Sequence, residues 1–415
     1  MKPYHTIIVG GGAAGMCAAV MLRQMNPSES VLLLEALPRV GKKLIVTGNG
    51  RCNLSNAHLD ERFYHGQNRS FCGPALQALN EKAAVAFFES IGLICREEEN
   101  GRIYPFSFQA SSVVDVFRLA LEQNGVQVLC DCRVTDFCRE KGGFRVQTTH
   151  GSQSAENLIL AAGLYAGGEK LGSTGQIFEL LTAKGYPFVR PTPAIVQIRT
   201  QTDFVRPMKG LKVNAAVTLL CDRRPVRREY GEVLFCDYGI SGPPVMQVAR
   251  GVGILKGELA VELDLMPELS FQEVLALLEE RKKQFAVQNC EAYFTGFLPK
   301  MLGLTLLKRC RIAAASPVKL LISGQLRELA AGLKSYRLPV TGNTGFLNAQ
   351  VTAGGLDTSR FDPFTMQDRR VPGLYAIGEI LDIDGDCGGY NLQWAWASAA
   401  AAARSIDGKK REPND

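Results

Sequence analysis

The sequence predicts an α/β protein in which a Rossmann-like nucleotide-binding domain is interrupted by an inserted module, part antiparallel sheet or barrel and part helical. Three observations predict this fold class. A glycine-rich turn joins an apolar strand to a helix near the N-terminus. Short alternating runs over residues 194–265, followed by helical periodicity over residues 270–333, interrupt the α/β pattern. A strand, a loop and a helix return after residue 373, so the first domain is expected to resume there.

Composition restricts the classes of function. The 415 residues include 47 Lys and Arg against 41 Asp and Glu, and this net charge of +6 is too small to predict a nucleic-acid partner. The twelve Cys residues form no CxxC pair, and we interpret them as reduced thiols of a cytoplasmic protein. The four His residues show no metal-ligand spacing, and no run has the roughly 18 apolar residues of a membrane span. We therefore expect neither a metal site nor a membrane span.

The elements of the first domain follow from apolar periodicity. Residues 6–9 and 31–35 have the composition of buried strands, and AAGMCAAVMLRQ between them has the small residues of a packed helix. Helical spacing recurs over residues 75–91 and 111–123. Further strands are predicted at VQVLCDCRV, GFRVQTTH and NLILAAG.

The inserted module begins after Pro191. Four short alternating runs predict an antiparallel sheet or barrel: AIVQIRT, AAVTLLCD, EVLFCD and ELAVELDL. The helices that follow open on Ser270 and Glu273, which have the spacing of a capping box. We assign residues 1–190 and 343–415 to the nucleotide-binding domain, 191–268 with 334–342 to the barrel, and 269–333 to a helical subdomain.

A G-x-G-x-x-G fingerprint occupies residues 10–15. Gly10 allows the tight turn, Gly12 allows a pyrophosphate to approach the backbone, and Gly15 allows the helix to pack on the strand. The helix N-terminus that begins at Ala13 and Ala14 supplies N–H donors to phosphate. Glu35 ends the second strand, twenty residues after Gly15, where an acid is expected to bind ribose hydroxyls. The sequence therefore predicts a dinucleotide site.

A segment near the C-terminus distinguishes FAD from NAD. Gly378 and Glu379 end a strand, and a helix begins near Gly389. We hypothesise that backbone N–H groups at residues 391–393 lie against the flavin edge on which negative charge collects during reduction. An NAD domain has no use for such a segment, so the predicted cofactor is FAD.

These motifs resemble those of the BaiN/RdsA-type flavoproteins, an aminoacetone-oxidase-like family of FAD enzymes. The resemblance covers nearly the whole chain and rests on GGGAAG, TGNGRCNLSN, GRIYPFS, LGSTG, YGISGPP, VTAGG and GEILDIDGDCGGYNLQWAWAS. It implies an FAD-binding domain of the glutathione-reductase type, interrupted by a barrel and a small helical domain that cover the flavin. It also implies that TGNGRCNLSN lines the flavin pyrophosphate and ring.

The cofactor-binding residues expected from the fingerprint, the C-terminal segment and the resemblance form one set. It comprises Gly10, Gly12, Ala13, Ala14, Gly15, Glu35, Lys43, Gly50, Arg51, Asn53, Val134, Ala161, Gly163, Gly378, Glu379, Gly389, Asn391, Leu392 and Gln393. Cys52 lies inside TGNGRCNLSN, but a flavin disulfide centre needs a second Cys a few residues away and the next is Cys72. We therefore expect Cys52 to be structural. The chain departs from the family pattern at Cys236, where Thr is usual, and the pair Cys236-Asp237 is expected to face the substrate.

Three functions remain open. In the first, NADH or NADPH docks transiently, because no second fingerprint exists, and the enzyme reduces the C=C bond of an enone, as steroid and bile-acid reductases of the family do. In the second, the enzyme oxidises an amine and oxygen is the acceptor. In the third, the chain binds flavin and a protein partner. The expected substrate is small and hydrophobic and can carry a negative charge.

The catalytic candidates are Tyr390, Tyr104 and Arg102. Each tyrosine can donate a proton to carbon, and Arg102 can hold a carboxylate. Tyr238 is a further candidate acid. The basic run at residues 223–228 is predicted to form a hairpin tip, with the steering of an anionic substrate or of NADPH as the alternative role.

Overall fold

A computed structural model describes residues 3–408. The chain forms two compact units: the first comprises the described part of Met1–Pro193 and Phe346–Asp415, and the second, the inserted unit, comprises Ala194–Gly345. The predicted fold class is confirmed, because the first unit is an α/β domain of Rossmann type and the inserted unit contains a closed β-barrel. The predicted boundaries of the functional domains stay a prediction.

The helices in chain order are α1 (Ala13–Met25), α2 (Gly73–Ala78), α3 (Glu81–Ser90), α4 (Ala110–Gln123), α5 (Gln176–Ala183), α6 (Pro243–Val248), α7 (Arg250–Ile254), α8 (Phe271–Gln284), α9 (Lys300–Arg309), α10 (Ser323–Lys334) and α11 (Tyr390–Gly408).

The strands in chain order are β1 (Tyr4–Val9), β2 (Val31–Leu34), β3 (Ser55–Asn56), β4 (Tyr64–His65), β5 (Cys95–Glu97), β6 (Arg102–Pro105), β7 (Gln127–Leu129), β8 (Val134–Glu140), β9 (Gly143–Thr148), β10 (Gly151–Leu160), β11 (Phe188–Ala194), β12 (Ile198–Thr200), β13 (Lys212–Cys221), β14 (Arg224–Phe235), β15 (Gly239–Ser241), β16 (Leu259–Asp264), β17 (Tyr336–Asn343), β18 (Val351–Leu356), β19 (Leu374–Ala376) and β20 (Asp384–Gly385).

The main sheet of the first unit has the order β7-β2-β1-β10-β9-β8, and β19 also pairs with β10. Strands β7, β2, β1, β10 and β19 run parallel, whereas β8 and β9 form an antiparallel extension. The central strands are apolar on both faces because helices such as α1 and α11 cover the sheet. The carboxyl ends of β1, β2 and β10 meet at one edge, where Gly10 N–H donates to Leu34 O and Ala161 N–H donates to Val9 O. Ligands of open α/β sheets bind at this edge.

The helical spacing predicted over residues 75–91 corresponds to two helices in the structure. Helix α2 ends at Ala78, and Asn80 starts α3 as its N-cap, with its side chain accepting from Ala83 N–H at 2.9 Å. An Asn cap favours a new helix start over continuation, so it overrides the apolar periodicity that spans both helices.

The barrel of the inserted unit has six strands in the closed order β12-β15-β14-β13-β16-β17. Strands β13 and β14 form a hairpin whose tip holds Asp222 and Arg223, so the predicted hairpin at the basic run is confirmed. Helices α8, α9 and α10 follow β16, and the predicted capping box is present, with Ser270 and Glu273 exchanging hydrogen bonds. Two short helices inside the barrel region, α6 and α7, were not predicted, since five or six residues are too few for helical periodicity.

None of the helices in residues 3–408 combines the length and the apolar character needed to cross a membrane.

Candidate functional site

The glycine-rich turn presents free backbone donors at the carboxyl edge of the sheet. Helix α1 begins at Ala13, and its first intrahelical bond runs from Met16 N–H to Gly12 O. The N–H groups of residues 13–15 therefore have no intrahelical partner and can bind phosphate. A side chain at Gly15 would collide with Gly10 O, whereas one at Gly12 would enter open space. Gly15 is thus needed for packing, and Gly12 leaves room for a ligand.

Glu35 lies directly after β2, beside this turn. Its Oε2 accepts from Gly11 N–H at 2.8 Å and its Oε1 from Leu37 N–H at 2.9 Å. Burial raises the pKa of Glu35 above the ordinary 4.5, although these backbone hydrogen bonds oppose the shift. The carboxylate is therefore fixed in place and keeps lone pairs for the hydroxyls of a ribose.

Val134 and Ala161 flank the same edge. Val134 opens β8 two residues after Cys132, whose N–H donates to Glu35 O at 2.9 Å. Ala161 follows β10, and Gly163 has a φ of 63° with open space beside it. Both segments thus lie next to residues of the fingerprint.

The C-terminal segment returns to the glycine-rich turn. A Cβ at Gly378 would lie 3.0 Å from the Cβ of Ala14, so the two segments touch. Glu379 binds Lys43 Nζ through Oε2 at 2.5 Å and Thr352 N–H through Oε1 at 3.1 Å. Two predicted cofactor residues, Lys43 and Glu379, therefore form an ion pair with each other, which reduces the positive charge that Lys43 offers to a ligand.

The loop that contains TGNGRCNLSN has an unusual backbone. Gly48, Asn49, Gly50 and Cys52 all have positive φ values, between 56° and 81°. Asn49 and Cys52 are not glycines, and such conformations in non-glycine residues concentrate at functional sites. The loop therefore has the strained backbone that is typical of a functional site.

The side chains of this loop differ in their surroundings. Arg51 lies over the ring of Tyr104, 5.1 Å from its centroid. The Oδ1 atom of Asn53 is buried and has no hydrogen-bond partner in the structure. Cys52 is fully buried, and burial raises the pKa of its thiol to about 12. The thiol is therefore protonated at neutral pH, which favours a structural Cys52.

Helix α11 begins at Tyr390, next to this loop. A Cβ at Gly389 would lie 2.9 Å from Asn53 Oδ1, so the helix start and the orphaned acceptor are adjacent. Gln393 N–H donates to Gly389 O inside the helix, which leaves the N–H groups of residues 390–392 without intrahelical partners. The side chain of Asn391 accepts from Gly385 N–H through Oδ1 and donates to Gly385 O through Nδ2.

Gln393 has a different position from its neighbours in the predicted set. Its side chain is fully buried and binds Ser55 Oγ and Leu79 O. Since its N–H is also bonded, Gln393 anchors the helix start, and Asn391 and Leu392 are the predicted residues whose N–H groups can face a cofactor.

FAD fits the residues at this edge of the sheet. The turn at residues 12–15 offers donors and space for a pyrophosphate, and Glu35 offers acceptors for a ribose. The buried, unpaired Oδ1 of Asn53 needs a donor, which the N–H groups of a flavin ring can supply. The start of α11 adds the positive end of a helix dipole.

Tyr390 and Arg102 share one electrostatic environment. The ring of Tyr390 stacks on Phe63 at 4.7 Å, and its hydroxyl donates to His58 O at 3.4 Å. The pKa of Tyr390 is raised to about 12, mainly by burial and next by the charge of Asp386, while Arg62 and Arg102 oppose the rise. Arg102 and Tyr104 project from the same face of β6, since they are two residues apart. The structure therefore places Arg102 near Tyr390 and on the same strand face as Tyr104.

The sequence interpretation missed a polar pair beside Tyr390. His65 Nε2 lies 2.7 Å from Asp386 Oδ1, and Asp386 is buried. The pair forms because β4 and β20 are antiparallel neighbours, with His65 opposite Asp384. The sequence signal that could have pointed to a carboxylate here was the alternation of Asp382, Asp384 and Asp386. Within residues 3–408 no group of three His, Cys, Asp or Glu side chains is arranged to hold a metal ion.

Comparison with known proteins gives one family and several relatives. The family described as HI0933-like protein Rossmann domain matches residues 4–405. The chain is 34% identical over 401 residues to a 3-dehydro-bile acid delta(4,6)-reductase from Clostridium scindens, covering 96% of this chain and 98% of the relative. It is 29% identical to the ribosomal RNA dihydrouridine synthase of Haemophilus influenzae, covering 97% of this chain and 98% of the relative. The Escherichia coli protein of the same name is also 29% identical, with 98% of each chain covered.

Two solved structures share the fold. A 3-ketosteroid delta1-dehydrogenase from Sterolibacterium denitrificans, in complex with 1,4-androstadiene-3,17-dione, is similar at a TM-score of 0.50 and 12% identity, over 99% of this chain and 100% of that one. The quinol fumarate reductase FrdA of E. coli, in a mutant form, is similar at a TM-score of 0.51 and 15% identity, over 100% of this chain and 71% of that one. At such identities the likeness concerns the fold alone.

Proposed function

Because the chain belongs to the HI0933-like family and is an FAD-dependent oxidoreductase, we propose that it uses NADH or NADPH to reduce a C=C bond conjugated to a carbonyl group, in a steroid or bile-acid-like substrate. The resemblance to the BaiN/RdsA-type flavoproteins is thereby confirmed. The observation that carries the proposal is the 34% identity, over almost the full length of both chains, with a reductase named for a 3-dehydro-bile acid.

Reduction of an enone needs a hydride at the β-carbon and a proton at the α-carbon. Bound FAD supplies the hydride when reduced. The proton must come from the chain or from water, and our candidate is Tyr390, which opens α11 beside the proposed flavin site. Its raised pKa keeps the hydroxyl protonated at neutral pH. The nearby charges of Arg62 and Arg102 lower the cost of the phenolate that proton donation leaves behind.

Arg102 and Tyr104 are proposed to hold the substrate. Both lie on the same face of β6, and the neighbouring Arg51 is fixed over the Tyr104 ring. A guanidinium and a phenol at this spacing can bind the carbonyl oxygen of an enone, where negative charge develops during hydride addition. The arrangement supports a reductase more than an amine oxidase, since positive charge near the reacting atoms disfavours a protonated amine.

A second candidate function is the reduction of uridine in ribosomal RNA. Two relatives named as ribosomal RNA dihydrouridine synthases are each 29% identical over nearly the whole chain. The uracil ring also contains a C=C bond conjugated to a carbonyl, so the same hydride and proton transfers would reduce it. The two candidates therefore differ in the substrate and not in the chemistry.

One assay separates the alternatives. The purified FAD-loaded protein is mixed with NADH or NADPH and with 3-oxo-4-ene steroids, a uridine-containing ribosomal RNA fragment, or small amines. Enone-dependent consumption of NADH or NADPH supports the proposal, and consumption that depends on RNA supports the second candidate. Peroxide formed from amines without NADH or NADPH would favour the oxidase. If the protein is inactive in all three arms, the remaining hypothesis is that it binds flavin and acts through a protein partner.

A variant tests the proton donor. Tyr390→Phe is expected to slow turnover of the enone roughly a hundredfold, the lower end of the range for general acid catalysis, while reduction of FAD by NADH or NADPH stays at the wild-type rate. Tyr4→Phe is the matched control, because Tyr4 donates to Gln127 at the far end of β1. Equal turnover in Tyr390→Phe and wild type would exclude Tyr390 as the donor.

A further inference from the structure

The motif YGISGPP, residues 238–244, lies in the inserted unit and is not among the residues proposed to hold FAD. In the inserted unit its glycines permit two close backbone contacts. A side chain at Gly239 would collide with Ile198 O, and one at Gly242 would collide with Glu232 O. Gly239 pairs with Arg199 across β12 and β15. The motif therefore draws β12 against the turn at residues 236–239 and fixes the position of Arg199.

Arg199 rests on an aromatic platform. Its guanidinium lies over the ring of Tyr238, 5.7 Å from the centroid, while the side chain stays exposed. Tyr238 is partly buried, and burial is the main reason that its pKa is raised. Stacking on a ring holds the planar guanidinium in one orientation and leaves its N–H donors available to a ligand.

Two further cations lie at the same end of the barrel. Lys209 Nζ binds Asp237 Oδ2 at 2.9 Å, and both side chains are exposed. The hydrogen bond from Lys209 lowers the pKa of Asp237, and the charge of Arg206 contributes to the same shift. Lys209 and Arg206 therefore act on the Asp237 carboxylate, and Arg199 lies over the ring of the next residue, Tyr238. We call Arg199, Arg206 and Lys209 the barrel-end cluster. The cluster retains a net positive charge after the ion pair is counted.

The charge of the chain is concentrated in the inserted unit. Residues 194–345 contain 21 Lys and Arg against 14 Asp and Glu, a net charge of +7, whereas the whole chain carries +6. The remaining residues therefore carry −1. The basic run at residues 223–228 contributes to this excess, but Arg227 binds Glu229, and Arg228 lies 3.7 Å from Asp264. That run is also at the opposite end of the hairpin, about 30 Å away along the ten residues of β13.

We propose that the barrel-end cluster is a binding site for the carboxylate or phosphate group of a small ligand. The inference rests on the proposed function, which offers two sources of such a group: the side-chain carboxylate of a bile-acid-like substrate and the 2′-phosphate of NADPH. A fixed guanidinium binds either oxyanion through paired hydrogen bonds, and the neighbouring Arg206 and Lys209 add charge.

The experiment measures binding to the FAD-loaded protein and needs no turnover, so it stands even if the reductase assay fails. The two probes are adenosine 2′,5′-bisphosphate and cholate, with a ribosomal RNA fragment as the comparison ligand, each titrated calorimetrically at low and moderate salt. Arg199→Gln combined with Arg206→Gln is expected to weaken one probe at least tenfold. Loss for the bisphosphate identifies the NADPH phosphate as the ligand, and loss for cholate identifies the substrate carboxylate.

Arg223→Gln combined with Arg224→Gln is the matched control, since it removes the same charge at the other end of the barrel. Unchanged binding of both probes in the cluster variant would overturn the proposal. An equal loss in the control variant would also overturn it, because only the overall charge would then matter. Loss confined to a ribosomal RNA fragment would replace the small ligand by nucleic acid and overturn the proposal as well.

Tyr238 acts as a positioning residue, and a conservative pair tests that role. Tyr238→Leu removes the ring under Arg199 and is expected to weaken the same probe several-fold, whereas Tyr238→Phe keeps the ring and is expected to bind like wild type. Equal weakening by both variants would show that the hydroxyl, and not the stacking, is what the site needs.

Discussion

At the residue scale, the sequence predicted one role for Glu35, the binding of ribose hydroxyls, and the structure adds a second, the hydrogen bonding of the glycine-rich turn. Its carboxylate accepts from Gly11 and Leu37 and keeps lone pairs that can accept from the proposed ribose. Glu35→Ala is expected to weaken FAD binding by roughly 1.5–3 kcal/mol, the range for hydrogen bonds to a charged group. FAD retained after dilution is measured by absorbance. Glu122→Ala is the control, since that side chain is exposed on α4. Wild-type retention in Glu35→Ala would remove the ribose role.

The raised pKa of Glu35 predicts a pH dependence. Ribose hydroxyls donate to the ionised carboxylate, so bound FAD lowers the pKa of Glu35 below its value in the free protein, where burial raises it above 4.5. Affinity for FAD is therefore full above the pKa of the free protein and is lost as the pH falls through it. FAD release, followed by its fluorescence, should begin at a higher pH than an ordinary Glu would allow. Glu35→Gln should abolish this step, and a step of the same size in that variant would assign it to another group.

At the scale of elements, the junction before α11 depends on Gly389. Its φ is 104°, and a Cβ there would meet Ser55 O and Asn53 Oδ1. Gly389→Ala is expected to lower the melting temperature of the FAD-free protein more than Gly50→Ala does. Gly50 has a φ of 81° and open space, so the control carries a similar conformational cost, about 1–2 kcal/mol, without the collision. Equal melting temperatures would show that the loop moves aside.

The start of α11 also predicts an electrostatic effect. Leu392 lies in the first turn, where its N–H has no intrahelical partner. Leu392→Asp places a negative charge beside the proposed flavin edge, and Leu392→Asn is the neutral control of the same size. We expect the Asp variant to have a reduction potential roughly 30 mV lower, which corresponds to about 1.4 kcal/mol of repulsion for a two-electron couple. Identical reduction potentials for the Asp and Asn variants in a redox titration would show that the start of α11 does not act electrostatically on the flavin.

At the scale of the whole molecule, FAD is expected to stabilise one unit selectively. All the proposed cofactor contacts lie in the first unit, at the turn of residues 10–15, the loop of residues 47–53 and the start of α11. Binding to the native state stabilises it by about 2.7 kcal/mol when free FAD is a hundredfold above its dissociation constant.

Amide hydrogen exchange, measured with and without FAD, tests this prediction directly. Removal of FAD should increase exchange at residues 10–16, 47–53 and 388–392, while strands β13 and β14 of the barrel keep their protection. Their ladder of paired residues forms within the inserted unit and serves as the internal control. An equal loss of protection in both units would mean that FAD stabilises the whole chain and would contradict the local assignment.

The sequence by itself determined the features that depend on near neighbours. The nucleotide fingerprint can be recognised in the sequence because its strand, turn and helix form from adjacent residues; it consists of Gly10, Gly12 and Gly15 with Glu35. The capping box of Ser270 and Glu273 and the basic hairpin are local for the same reason. The C-terminal segment predicted FAD, and the family resemblance implied the barrel that interrupts the nucleotide-binding domain.

Only the tertiary structure decided the pairings between distant segments. Lys43 and Glu379, 336 residues apart, neutralise each other, and His65 meets Asp386 beside Tyr390. The orphaned Oδ1 of Asn53 and the bonded N–H of Gln393 determine which atoms remain for a cofactor. Periodicity predicts which face of an element is buried, but the register between two strands and the approach of a loop to a helix start depend on how the whole chain packs.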